Sequence, residues 1–222
     1  MKTNSIQKIV KKRNIEALVH FTRIENLSSI LKHGLLSRNE VENNNMDSLV
    51  TDSSRLDGYT SAVNLSISFP NYRMFFSKRQ NMGGDWVVLF IKPEVLYSKP
   101  CYFYSNNAAC TTYSGLENRS SDAHLQNMFS DLAVNNVGDR ASRDDLALPG
   151  NYPTNPQSEV LVFSTLSTAM IMGVAFSSDI TRSNYFMCTS GNSNVQPYIS
   201  KSIANKFFFS SRQDWRYWSC RG

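Results

Sequence analysis

Two residues far apart in this chain have the chemistry to act on a sugar: His20, near the end of the run Ala17-Leu-Val-His-Phe21, and Glu159, in Asn155-Pro-Gln-Ser-Glu-Val-Leu-Val-Phe163. Splitting the bond between nicotinamide and ribose in NAD builds oxocarbenium-like charge on the sugar. Catalysis then needs a group that holds the ribose and a carboxylate that stabilises the cation and takes a proton from the incoming nucleophile. Glu159 can supply the carboxylate. His20, with Thr22 alongside, can hydrogen-bond a ribose hydroxyl. Gln157 precedes Glu159 by two residues, so on a strand both point to one face and the Gln157 amide can meet the ring atoms of an acceptor. Each has a plainer explanation: a glutamate opening an exposed edge strand, a histidine satisfied in a core, a surface glutamine.

Other candidates are less specific. Arg55, in Ser-Ser-Arg-Leu-Asp-Gly58, keeps its charge and can bond two oxygens of a phosphate or reacting ribose, or it can simply pair with Asp57. The run Phe69-Pro-Asn-Tyr-Arg-Met-Phe-Phe76 offers rings for stacking and Arg73 for a backbone phosphate, or it is core. Arg212, Trp215, Arg216, Tyr217 and Trp218 interleave cations and rings in the same way, as a terminal strand with buried tryptophans also would.

The elements that must position these groups follow from periodicity. Ser5–Asn14 reads as a short amphipathic helix and Ala17–Phe21 as a strand, with Leu18 and His20 on one face. Thr22-x-x-Glu25 has the form of a capping box ahead of a helix carrying Leu27, Ile30 and Leu31, which Gly34 ends. Residues 39–57 show no period and read as a long mobile loop. Ala62–Ser68 alternates like a half-buried strand, and Trp86–Ile91 is a continuous apolar strand stopped by Pro93. Asp122–Val134 has helical spacing, and the mixed-charge segment Gly138–Gly150 reads as loop. Val160–Phe163, Ile171–Phe176 and Lys206–Phe209 complete the strands. The expected architecture is a single α+β domain over 1–222, with a central, mostly antiparallel sheet and flanking helices.

Composition narrows the class. Of 222 residues, 41% are hydrophobic and 18% charged, so a folded protein is expected. No run is long and apolar enough to cross a bilayer and the N-terminus is not a signal peptide, which predicts a cytoplasmic protein without membrane contact. Cys101, Cys110, Cys188 and Cys220 lack zinc-knuckle spacing and there are three histidines, so free thiols and no metal site are expected. The net charge of +5, with clusters at Lys8–Arg13, Arg73–Arg79 and Arg212–Arg221, favours a polyanionic partner. A non-catalytic nucleic-acid-binding module and a transferase acting on protein or RNA stand as alternatives. The carboxylate at 159 argues against the first.

Taken together these segments resemble the DarT family of toxins, ADP-ribosyltransferases that modify bases of single-stranded DNA. The likeness is carried by Val19-His-Phe-Thr22 with Asn26-Leu27, Ser29-Ile-Leu-Lys-His-Gly-Leu35, Arg55-Leu-Asp-Gly58, Leu65-Ser-Ile-Ser-Phe-Pro-Asn-Tyr-Arg-Met-Phe75, Asn107-Ala-Ala109 and Asn155-Pro-Gln-Ser-Glu-Val-Leu-Val162. It implies an ADP-ribosyltransferase-like fold that consumes NAD as a substrate. Glu159 falls at the family's catalytic glutamate, Arg55 near its catalytic arginine, and His20 at its NAD-binding histidine, with Thr22 and Asn26 beside it. Phe75 and Phe76 fall where related enzymes stack a tyrosine on nicotinamide. Gln157, Tyr72, Arg73, Lys78 and Arg79 are the residues expected to meet DNA. The resemblance also implies a cognate macrodomain antitoxin, DarG-like, and the toxin itself is expected to be a monomer. Leu65–Asn71, Asn107–Ala109 and the Gln-x-Glu pattern point to the guanosine-directed rather than the thymidine-directed branch.

Overall fold

The structure, a computed structural model, describes residues 5–45, 58–110, 118–189 and 202–219. A continuous apolar run organises the fold. Trp86–Ile91 forms β3, buried at every position but Phe90, because a strand in the middle of a covered sheet packs on both faces. In chain order the other strands are β1 (Leu18–Arg23), β2 (Val63–Ile67), β4 (Cys101–Tyr104), β5 (Leu132–Val134), β6 (Arg140–Ser142), β7 (Glu159–Val162), β8 (Ile171–Phe176) and β9 (Ser202–Ala204). Seven of them form one sheet in the order β4-β7-β2-β1-β3-β8-β9, antiparallel except for the last pair, and β5 and β6 form a separate hairpin.

The sheet comes apart in the middle. Strand β1 pairs with β3 along its whole length, from Leu18 opposite Ile91 to Arg23 opposite Trp86. Its pairing with β2 is confined to Leu18–Ile67 and Val19–Ser66. Beyond that point β2 turns its ladder to β7, with Val63, Asn64 and Leu65 opposite Val162, Leu161 and Val160. A wedge therefore opens between the half-sheets, with His20, Phe21 and Thr22 on one lip and Asn64 on the other.

Helices close the wedge. The chain folds into α1 (Ser5–Lys12), α2 (Leu27–His33), α3 (Arg38–Asn43), α4 (Tyr72–Met82), α5 (Val95–Ser98), α6 (Asp122–Asn127), α7 (Asp179–Thr189) and α8 (Trp215–Ser219). Helix α2 buries Leu27, Ile30 and Leu31 in the main core, which also holds Leu18, Leu65, Leu89 and Val160. A second core on the other face gathers Val19, Phe75, Trp86, Val88 and Phe209 under α4. Gly34 ends α2 with φ 89°, and a Cβ there would meet the Leu166 carbonyl oxygen at 2.5 Å. That close approach lets Leu35 pair with Leu166.

Several local expectations are corrected. Thr22 does not cap a helix, because it is still within β1, paired with Val87 of β3, and Glu25 bonds Arg23 instead. The first part of the segment 39–57 is helical: Ser37 and Glu40 form a reciprocal capping box that starts α3. Residues 46–57 lie outside the described residues. The helix expected to run to Val134 stops at Asn127. Leu132–Val134 pairs with Arg140–Ser142, so part of the presumed loop is strand. Lys206–Phe209 is a 3-10 turn, because the Asn205 side chain accepts from the Phe207 amide and rotates the three phenylalanines to different sides. The terminal aromatics lie on α8, with Trp218 buried and Trp215 exposed.

Candidate active site

A cavity of ≈ 210 Å³ occupies the wedge, and His20, Thr22, Asn26 and Glu159 all line it. Strand β1 brings His20 and Thr22, the turn after it brings Asn26, and β7 brings Glu159 from the other half-sheet. Glu159 is 6% exposed and β7 lies between β4 and β2, so it does not sit on a sheet edge.

Each polar group is held. Glu159 Oε2 accepts a hydrogen bond from the Ala108 amide at 2.8 Å, in the loop that follows β4. That loop is shaped by asparagines: Asn106 Oδ1 accepts from the Asn107 amide and Asn107 Oδ1 from the Ala109 amide, each at 2.8 Å. His20 Nδ1 lies 2.9 Å from the Asn64 carbonyl oxygen across the wedge. A carbonyl only accepts, so Nδ1 carries the proton, and in the neutral ring Nε2 is an acceptor that suits a ribose hydroxyl. Asn26 Nδ2 donates to Thr22 Oγ1 at 3.0 Å, joining strand to helix at the rim.

Lys78 also lines the cavity, reaching it from α4. The other sequence candidates are elsewhere. Arg55 lies outside the described residues. Gln157 is in the turn before β7, its amide donating to Asn155 Oδ1 at 2.8 Å, so the strand alternation that would align it with Glu159 does not operate. Phe75 is 1% exposed in the second core, stacked on Phe21 at 4.5 Å, whereas Phe76 is 57% exposed. On a helix these neighbours diverge by about a quarter turn, and neither borders the cavity. Phe21 does, and its ring is stacked on Phe75. Tyr72 is buried at the start of α4 and Arg73 half-buried beside it. Arg79 stands 4.7 Å over the Phe75 ring and donates to the Phe209 carbonyl oxygen at 2.6 Å, which ties α4 to the turn at Phe209.

Sequence reasoning passed over several wall residues. Arg38, Val41 and Glu42 line the cavity from α3, and Arg38 Nε donates to Glu42 at 2.7 Å. Their signal was the capping box at Ser37 and Glu40. Asn71 and Ser66 are buried in the wall too. Asn71 Oδ1 caps α4 by accepting from the Met74 amide at 3.2 Å. The Ala108 amide could be found only through the Asn-Ala-Ala segment, because a backbone donor leaves no mark in side-chain chemistry.

No curated protein sequence matches the chain. Its fold matches Thermus sp. 2.9 DarT in complex with NAD+ at a TM-score of 0.60 and 14% identity, over 88% of this chain and 98% of that one. It matches Thermus sp. 2.9 DarT in complex with ADP-ribosylated ssDNA at 0.55 and 13%, over 89% and 97%. Against Thermosipho africanus DarTG in complex with ADP-ribose the values are 0.58 and 18%, over 87% of this chain; the chain spans about half, 51%, of that longer one. The family model described as "ssDNA thymidine ADP-ribosyltransferase, DarT" matches residues 19–209, from the strand of His20 to the turn that carries Phe209. With that match running through both lips of the wedge, the chain belongs to the DarT family of single-stranded DNA ADP-ribosyltransferases.

Proposed function

We propose that this chain transfers ADP-ribose from NAD to a base of single-stranded DNA, as the toxin of a toxin–antitoxin pair. The observation that carries the reading is the meeting of His20 and Glu159 in one cavity where the sheet divides. The structural matches described as holding NAD+, ADP-ribose and ADP-ribosylated ssDNA support it.

In this mechanism NAD enters the wedge with its nicotinamide-bearing ribose between the two lips. His20 Nε2 accepts from a ribose hydroxyl, while Thr22 and Asn26 shape the rim. Phe21, backed by Phe75, offers a flat face to the nicotinamide ring. A nitrogen of the acceptor base attacks the ribose carbon as the bond to nicotinamide breaks, and nicotinamide leaves with the electron pair. Glu159 stabilises the developing cation and takes the proton released by the base nitrogen. Arg55 steadies the negative charge of the dinucleotide. Lys78 belongs to the cavity wall in this reading, while Gln157 and Arg73 face the incoming strand. Single strands suit the site because flipping a base from a duplex costs about a few kcal/mol.

The family description names thymidine, whereas the Leu65–Asn71 and Asn107–Ala109 segments lean to guanosine. The wider reading is a monomeric, cytoplasmic transferase domain over 1–222, countered by a macrodomain antitoxin that removes the modification. No helix among the described residues is long and apolar enough to cross a membrane.

The test is to incubate the protein with labelled NAD and oligonucleotides containing single thymidines or guanosines, with protein and RNA acceptors in parallel. Mass spectrometry of the product then names the base. Label on DNA that disappears in Glu159→Ala supports the proposal; DNA labelling by Glu159→Ala as fast as by wild type overturns it.

A further inference from the structure

Phe207 is the exposed ring of a well-anchored aromatic turn. The 3-10 turn Lys206–Phe209 directs Phe209 into the second core and leaves Phe208 half-buried against Phe90, with ring centroids 4.9 Å apart. Phe207 alone turns outward, 51% exposed. Its backbone is fixed at both ends: the amide donates to Asn205 Oδ1 at 2.9 Å, and the carbonyl oxygen accepts from Ser210 Oγ at 2.7 Å. Arg79 Nη2 bonds the Phe209 carbonyl oxygen and ties the turn to α4. An exposed ring on so constrained a backbone needs little further ordering to bind a flat ligand.

The turn also touches the segments that border the candidate active site. The Phe207 ring meets Phe69 edge to face at 5.2 Å and 84°. Phe69 follows β2, whose Ser66 lines the cavity, and comes two residues before Asn71, which lines it too. The same Phe69 ring contacts Tyr152 at 5.7 Å, in the segment that leads to Gln157 and Glu159. One aromatic layer therefore separates Phe207 from both chain segments that enter the site. Lys206, exposed, stands next to it.

We propose that Phe207 is a stacking platform for a nucleobase flanking the acceptor base, with Lys206 contacting the adjoining phosphate. The inference rests on the single-stranded DNA reading and adds where the strand runs on either side of the reaction. Stacking on a ring tolerates any base, and an ammonium beside it suits the backbone. A protein partner of the same surface would have no use for the ring's register with the reactive base.

The experiment measures KM for an oligonucleotide with one acceptor base, then for the same strand made abasic at each flanking position in turn, using wild type, Phe207→Ala and Phe207→Trp. The expected result is that Phe207→Ala raises KM on the intact strand between about fivefold and a hundredfold, and that Phe207→Trp restores it. Removing one particular flanking base should cost wild type a similar factor and cost Phe207→Ala no more. An unchanged KM in Phe207→Ala, or a penalty that persists whichever flanking base is removed, overturns the platform while DNA labelling by wild type continues. Absence of DNA labelling by wild type removes the single-stranded DNA reading and the platform with it.

Discussion

The Glu159 carboxylate is gripped by the Ala108 amide at 2.8 Å, a bond between the first residue of β7 and the loop beyond its neighbour β4. The two strands run antiparallel with Glu159 opposite Tyr104, so one ladder sets both donor and acceptor. The carboxylate is thus oriented by a backbone donor, which at position 108 only a proline would remove.

Replacing Glu159 by glutamine keeps an acceptor oxygen for the Ala108 amide and removes the negative charge and the base. Transfer is expected to fall by about 10²–10⁴, with NAD binding by calorimetry changed by less than a few-fold. A glutamine variant that turns over at the wild-type rate would remove Glu159 from the chemistry.

The contact between His20 and Asn64 bridges the half-sheets at 2.9 Å, so it orients the ring and also ties the lips of the wedge. His20→Ala loses both. The KM for NAD is expected to rise on the order of tenfold, as the loss of one or two hydrogen bonds implies. Steady-state kinetics at saturating oligonucleotide reads this directly, and an unchanged KM would place the ribose elsewhere.

How far the sequence led depended on what each signal measured. Trp86–Ile91 and Ile171–Phe176 are observed with the predicted bounds because an uninterrupted apolar run leaves a buried strand few alternatives. His20 and Glu159 stood out because their types are unusual beside apolar strands, and both line the same cavity. Phe75 and Phe76, expected to stack on nicotinamide, do not border the cavity and Phe21 does, because ring content does not tell which side of α4 a residue faces. Gln157 was misaligned because the alternation rule was carried back from Glu159 past Ser158, beyond the start of β7 and into a turn. The division of the sheet between β1 and β2 is set by which strand each pairs with next, a non-local choice with no counterpart in local periodicity.

Glu40 links α3 to the body of the protein: Oε2 accepts from the Ser37 amide at 2.8 Å, and Oε1 accepts from the Thr165 hydroxyl. Burial alone would raise its pKa, but the hydrogen bonds from Thr165 and Ser37 outweigh it and hold the carboxyl below its ordinary 4.5. A depressed folded pKa stabilises the protein above the unfolded value, and that contribution disappears as pH falls through the folded one. Glu40→Ala is expected to lose about 0.5–1.5 kcal/mol at neutral pH, the range for a lost hydrogen bond, and the gap to wild type should narrow in urea melts as pH falls below 4.5. A gap that stays constant on acidification would contradict this account.

At the alkaline end, burial pushes Tyr72 up to about 12, with Asp214 adding to the shift. Burial likewise pushes the Cys101 thiol up to about 12. Raised folded values favour the native state fully below the unfolded pKa values, 9.0 for the thiol and 10.0 for the phenol, and that advantage is lost as pH rises toward 12. Chemical denaturation should therefore show stability falling from about pH 9 upward. Tyr72→Phe and Cys101→Ser should each flatten the decline, and a slope unaltered in both variants would assign it to other groups.

The buried pair Arg212 and Asp214 holds the chain that leads into the candidate active site. Arg212 donates through Nε and Nη2 to the two carboxylate oxygens at 2.6 Å each, and through Nη1 and Nη2 to the Pro153 and Thr154 carbonyl oxygens at 2.7 and 2.8 Å. Asp214 also accepts from Trp218 Nε1 at 2.7 Å. The C-terminal segment thus clamps the chain a few residues before Gln157 and Glu159. Removing one partner strands a buried charge, and Arg212→Ala is expected to cost about 3–5 kcal/mol, or roughly 6–20 °C in Tm for a chain of this size. Replacing both, as Arg212→Met with Asp214→Leu, removes the charges together and should recover much of that loss. The Pro153 and Thr154 carbonyls would still lack their donors, so oligonucleotide KM should remain raised in the recovered protein. Full recovery of KM along with Tm would show that the clamp stabilises the fold without placing the segment that leads to Glu159.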